Sequence, residues 1–174
     1  MKHIFKIFLL GMVLFVQQTK AQQIKGQLTI NNKETTRLEL SSASAVHLFK
    51  NFKEGKYKIG FNFKADELQK NSEGEFIVFF DFKTVIKKDG KVLRRIKRHM
   101  PVPFFPGEMF LPAEAFDFIS VLSVTSWDDM VKKTFVSQEK SGIMKSGNYE
   151  IELSVVPKDV EGEVAPVTFG FSVR

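Results

Sequence analysis

Residues 76–98 read FIVFFDFKTVIKKDGKVLRRIKR. From Phe76 onward the apolar side chains Phe76, Val78, Phe80, Phe82 and Ile86 fall on alternate positions, which places them on one face of a strand and Asp81, Lys83 and Lys87 on the other. Lys88-Asp89-Gly90 then interrupts the pattern before a second strand-like run, so the stretch reads as a β-hairpin around an Asp-Gly turn. The turn length sets the register. A two-residue Asp89-Gly90 loop would pair Phe82 with Lys97 and Thr84 with Arg95. A three-residue loop with Gly90 left-handed would pair Ile86 with Val92 and Phe82 with Ile96, and set Asp81 opposite Lys97. The second keeps apolar opposite apolar and is the expected one.

The same alternation recurs outside the hairpin. It is clear at Leu38/Leu40, Tyr57/Ile59/Phe61/Phe63, Tyr149/Ile151/Leu153/Val155 and Val167/Phe169/Phe171/Val173, and weaker over Ile24 to Ile30 and Val46 to Phe52. Polar clusters at Asn31-Asn32-Lys33, Gln69 to Gly74 and Pro157 to Pro166 separate the runs. Short strands divided by such turns predict an all-β fold: an antiparallel β-sandwich, immunoglobulin-like (Greek-key) or jelly-roll, of about eight strands with one or two short helices. The helix candidates are Pro112 to Leu122 and Ser126 to Lys133, the latter with a capping Ser, Asp128 and Asp129 at its start and Lys132 and Lys133 at its end. Pro101 to Gly107 carries three prolines, which suits an edge or a connection between sheets.

A chain of 174 residues with 43% apolar content has the size of one globular unit with a sizeable core. Because it contains no Cys, it has no disulfide framework, thiolate metal site, Cys nucleophile or lipid-anchored Cys. Nineteen Phe against one Trp and two Tyr favour rings that fill a core over rings with a polar handle. At the amino terminus, Lys2 and Lys6 precede the apolar run Ile7 to Val16, and Thr19-Lys20-Ala21 presents small residues for cleavage before Gln22. That run is too short to span a bilayer as a helix and fits a signal peptide. Residues 1–21 are therefore expected to be a signal peptide and residues 22–174 a single exported domain, periplasmic or extracellular, without a transmembrane anchor.

Both Tyr residues sit in one local pattern. Phe52-Lys53-Glu54-Gly55-Lys56-Tyr57-Lys58-Ile59 and Met144-Lys145-Ser146-Gly147-Asn148-Tyr149-Glu150-Ile151 each read apolar, Lys, x, Gly, x, Tyr, x, Ile. Gly55 and Gly147 allow a tight turn, and Tyr57 and Tyr149 open the next strand, each able to bury its ring and return its hydroxyl to the preceding loop. The pattern resembles the tyrosine corner of immunoglobulin-like and fibronectin type III-like sandwiches, modules common in exported bacterial proteins. The second copy matches by position, because a strand, the loop Pro157 to Pro166 and a last strand follow it like a terminal F-G hairpin. Two small tandem sandwiches are the alternative, since 92 residues separate the Tyr pair. The resemblance speaks to fold and to no particular activity.

The formal charge of +6 is not spread evenly. Loss of Lys2, Lys6 and Lys20 with the signal lowers it to +3, while Lys83 to Arg98 holds eight basic residues and one acid, leaving −4 for the remainder. Lys87, Lys88, Lys91, Arg94, Arg95 and Lys97 are thus candidate contacts for an anionic partner, an acidic polysaccharide of the envelope or another envelope protein. Nucleic acid is not expected, because no aromatic residues for base stacking interleave the basic ones. The competing reading is that these cations guard an exposed sheet edge against aggregation.

No GxSxG elbow, phosphate-cradling loop, dinucleotide fingerprint or HExxH spacing appears, and His47 and His99 lie apart, so no catalytic residue, metal or cofactor is assigned. Trp127-Asp128-Asp129 has the composition of a sugar-stacking site and also that of a capped helix start over a buried Trp. The expected function is a non-catalytic binding or interaction module. Two rivals are a hydrophobic-ligand carrier with a Phe-lined cavity and a small glycan hydrolase working through carboxylates such as Asp81, Asp117, Asp128 or Asp129.

Overall fold

The computed structural model describes residues 23–40, 42–66, 70, 74–98, 100–118, 122 and 143–174. Ten strands and one α-helix are seen among them. These are β1 Gln23–Ile30, β2 Thr35–Arg37, α1 Ala45–Lys53, β3 Ile59–Asp66, β4 Val78–Lys88, β5 Lys91–Lys97, β6 Val102–Phe104, β7 Gly107–Leu111, β8 Gly147–Lys158, β9 Glu161–Ala165 and β10 Val167–Val173. One sheet runs β7-β3-β1-β9. The other runs β2-β10-β8-β4-β5, with β6 continuing the β5 side of β4.

The period-two pattern is realised as inward and outward faces. Ile59/Phe61/Phe63 of β3, Val78/Phe80/Phe82/Ile86 of β4, Ile151/Leu153/Val155 of β8 and Val167/Phe169/Phe171/Val173 of β10 are all buried in one core. Phe61 and Phe63 meet Phe80 across the two sheets at ring-centroid distances of 5.2 and 4.9 Å, both edge-on. Phe104 and Phe116 extend the cluster over Phe82. Burial of each such ring stabilises the fold by about 1.5–3 kcal/mol, with about 0.5–1.5 kcal/mol more for each edge-on pair.

The all-β, two-sheet architecture is the expected one, but it holds ten strands among the described residues where about eight are expected, and four further details differ. The strand expected over Val46 to Phe52 is the helix α1. Ala45, Leu48 and Phe52 form its buried stripe, and Lys50 and Lys53 occupy its last turn at the negative end of the dipole. The Pro157 to Pro166 stretch, read as a loop, holds β9, which leaves β8, pairs with β1 in the opposite sheet, and returns as β10 beside β8. Two pairings, β1 with β9 and β10 with β2, are parallel, so the sandwich is mixed. The segment expected as a helix from Pro112 begins, over Ala113–Phe116, as a single 3₁₀ turn closed by Asp117 at φ 54°, while Phe118 and Leu122 beyond it are helical, as expected, and buried.

Pro101 to Gly107 is both things expected of it. Val102–Phe104 forms an edge segment against β4, and the chain then crosses to begin β7 in the other sheet. Phe104 packs on the core while Phe105 is exposed. Residues 1–21, His99, Trp127, Asp128, Asp129 and the helix candidate Ser126 to Lys133 lie outside the described residues. Among those described, no helix is long and apolar enough to cross a membrane.

Candidate functional site

β4 and β5 form the edge of the six-stranded sheet, and their turn is the tight one. Asp89 (φ 50°) and Gly90 (φ 78°) are both left-handed, the geometry whose twist matches that of paired strands. Lys88 pairs with Lys91 and Lys87 with Val92; the register then shifts, so that Ile86 lies opposite Arg94, Thr84 opposite Ile96 and Lys83 opposite Lys97. The expected three-residue turn and its register, with Ile86 opposite Val92 and Asp81 opposite Lys97, are therefore not realised: the turn is the two-residue Asp89-Gly90 one, and its simple register holds only as far as Lys87 and Val92. A bulge at Leu93 absorbs one residue and lets Ile96 lie half-buried on the inner side across from Thr84.

The bulge also sorts the cations. Lys83, Lys87, Arg95 and Lys97 share the outer face, Arg94 is turned to the opposite face beside Ile86, and Lys88 and Lys91 stand at the tip. All of β5 except Ile96 is exposed.

Acids on neighbouring strands neutralise part of the strip. Lys87 Nζ lies 2.6 Å from Glu150 Oε1, and this hydrogen bond, with the charges of Glu150 and Glu152, holds its ammonium above the ordinary lysine range. Lys97 reaches Asp81, its diagonal neighbour, at 2.8 Å, and Lys88 lies 3.4 Å from Asp89. Lys83, Lys91, Arg94 and Arg95 have no acidic partner among the described residues. The uncompensated charge is thus concentrated on β5 and the adjoining Lys83.

The hairpin tip is fastened to the start of β8. Asp89 N–H donates to the Asn148 carbonyl and Asn148 N–H donates to Asp89 Oδ1, both at 2.8 Å. The second bond holds the Asp89 carboxyl below its ordinary range. Ser172 Oγ continues the chain to Asn148 Oδ1 at 2.7 Å, and Arg37 of β2 donates to Ser172 Oγ. Three strands, β8, β10 and β2, are linked in this way to the turn that carries the cations.

Next to this latch, the Tyr149 ring stacks on Phe171 at 5.1 Å and 11°, and its hydroxyl donates to the Lys145 carbonyl at 2.8 Å. Burial, and secondarily the Asp89 charge, raise its phenol above 10.0. Tyr57 departs from the expectation: its hydroxyl donates, also at 2.8 Å, to the carbonyl of Glu39, which lies ahead of α1 and not in the loop before the Tyr, and its ring is edge-on to Phe52. Gly55 and Gly147 precede them at positive φ.

Elsewhere, His47 is exposed on α1, and no group of three or more His, Asp or Glu residues that could hold a metal occurs among the described residues. The residues that sequence reasoning did not assign to the strip are Glu150, Glu152 and Asn148. Their one signal is the outward phase of the alternating run after Gly147. No family model matches the chain, and no curated protein matches it.

Proposed function

We propose that the protein is an exported, non-catalytic binding module of immunoglobulin-like type whose contact surface is the cationic β4–β5 edge and whose partner is an anionic polymer. The strand order supports the fold assignment: β10-β8-β4-β5 corresponds to the G-F-C-C′ side of such sandwiches and β7-β3-β1 to the E-B-A side, with Tyr149 at the start of the F-like strand. Export is supported by the apolar run and cleavage-type residues of positions 1–21.

The observation that carries the binding reading is the group of cations left without acids, Lys83, Lys91, Arg94 and Arg95, on an exposed hairpin whose turn and β4 strand are tied to β8 by the Asp89–Asn148 and Lys87–Glu150 contacts. Charges already paired on a surface contribute little to attraction, whereas unpaired ones concentrated on one strip steer and hold a polyanion. The Phe residues favour this reading over a hydrophobic-ligand carrier, because the rings of Phe61, Phe63, Phe80, Phe82, Phe104 and Phe116 touch one another in the core.

Retention on immobilised heparin across a salt series tests the proposal. Lys91→Ser/Arg94→Ser/Arg95→Ser should elute at markedly lower salt than the wild type, while Lys87→Ser, which removes an already paired charge, should elute close to it. Equal elution of the triple variant and the wild type would leave the strip as an edge guard only.

A further inference from the structure

We propose that the anionic partner is a polypeptide: an extended acidic segment that adds to the free edge of β5 as a further strand of the six-stranded sheet. This rests on the reading of the strip as the anion-contact surface and names the class of partner.

The first warrant is the backbone. β5 is seven residues long and ends the sheet; β4 occupies one side, and no strand among the described residues pairs with the other. Such an edge presents N–H and C=O groups at the two-residue repeat of about 6.6–6.8 Å that an incoming strand matches. A polysaccharide can meet the side-chain charges but cannot continue this ladder.

The second warrant is the placement of charge on both sides of the edge. Of the cations without an acid, Arg95 projects on the outer face and Arg94 on the inner one, with Lys91 at the tip end. Successive side chains of an added strand point to opposite faces, so acids on either row would find a cation. A second copy of β5 would instead set Lys and Arg against Lys and Arg. The charges that repel self-pairing are therefore the ones that select an acidic strand. Val92 and Leu93, 40% and 53% exposed at the bulge, offer apolar contact beside the charges. The Asp89–Asn148 and Lys87–Glu150 ties hold the edge in place before binding, which lowers the ordering cost of association.

The test uses the whole chain and three probes: the capped, fluorescently labelled peptide Glu-Val-Glu-Thr-Glu-Val, the same peptide N-methylated at every backbone amide, and heparin. The unmodified peptide should bind in a salt-dependent manner and slow hydrogen exchange of the β5 amides about tenfold or more. The N-methylated peptide keeps the charges but loses the ladder, and should bind at least about tenfold more weakly. Equal binding of the two peptides, or no protection of β5, overturns strand addition while leaving the anion-contact surface standing. If neither peptide binds but heparin retention still depends on Lys91, Arg94 and Arg95, the polypeptide proposal fails alone; if heparin is not retained either, both readings fail.

Discussion

The hydroxyl of Thr84, on the inner face of β4, donates to the backbone carbonyl of Phe116 at 2.7 Å, and Thr84 is the one buried polar side chain among the described residues. Phe116 ends the 3₁₀ turn, where a carbonyl has no partner within its own turn. The bond therefore pins the turn above Phe82. Thr84→Val keeps the side-chain shape and leaves that carbonyl without its donor, and should cost about 1–3 kcal/mol in urea unfolding. Thr84→Ser should recover most of the loss, and equal midpoints for wild type and Thr84→Val would show the bond to be energetically silent.

The Asp89 carboxylate is favoured in the folded state, since its pKa lies below the ordinary 3.8 through the Asn148 N–H. Its contribution is accordingly complete above pH 3.8 and drains away as pH falls through the lowered folded value. Asp89→Asn preserves a residue that tolerates the left-handed turn and removes only the charge. The melting temperature of the variant should lie below that of the wild type at pH 7, and the gap should close toward about pH 2. A gap that persists in acid would assign the effect to shape.

Tyr149 has the opposite sign. With its phenol raised above 10.0, the folded state favours the protonated form, so the stabilisation is full below pH 10.0 and is lost as pH rises through the folded value. Tyr149→Phe retains the stack on Phe171 and loses the bond to Lys145. Near neutral pH it should destabilise by about 1 kcal/mol, and the difference from wild type should shrink in strong alkali. An unchanged denaturation midpoint at pH 7 would refute a stabilising corner bond.

Gly162 and Gly90 separate crowding from backbone strain. Both have positive φ, 141° and 78°, but a Cβ at Gly162 would collide with the backbone of Ile24, whereas a Cβ at Gly90 meets nothing within 4 Å. Gly90→Ala should cost about 1–2 kcal/mol of turn strain. Gly162→Ala should cost more and, in hydrogen exchange, release the β1–β9 pairing while sparing the β8–β10 pairing. Equal penalties would remove the steric argument.

Strands with an apolar residue at nearly every inward position, β3, β4, β8 and β10, were legible because burial and periodicity agree there. The helix α1 was not, since Val46, Leu48 and Phe52 satisfy a period of two while Ala45, Leu48 and Phe52 satisfy the helical one. The outcome, with Val46 exposed and Ala45 buried, is decided by packing. β9 carries a single buried side chain, Val164, and owes its extended form to β1 rather than to its own pattern. At the candidate site the cations were visible, but their neutralisation was not. Glu150 lies more than sixty positions from Lys87 in sequence and meets it only through the β4–β8 register. The bulge at Leu93 left no Gly or Asn to betray it.

The two parallel pairings join the earliest described strands to the latest: β1 to β9, and β2 to β10. As the chain emerges from its site of synthesis, β1 and β3 can meet early, but β2 has no neighbour to join until residues 167–173 arrive. Closure of the sandwich is thus a late, long-range event, of the kind that folds slowly and leaves apolar strand faces open in the interval. A chain stopped short of residue 161 would not be a smaller version of this fold but an open one. Whatever holds the nascent polypeptide until its last two strands are delivered becomes a determinant of its yield.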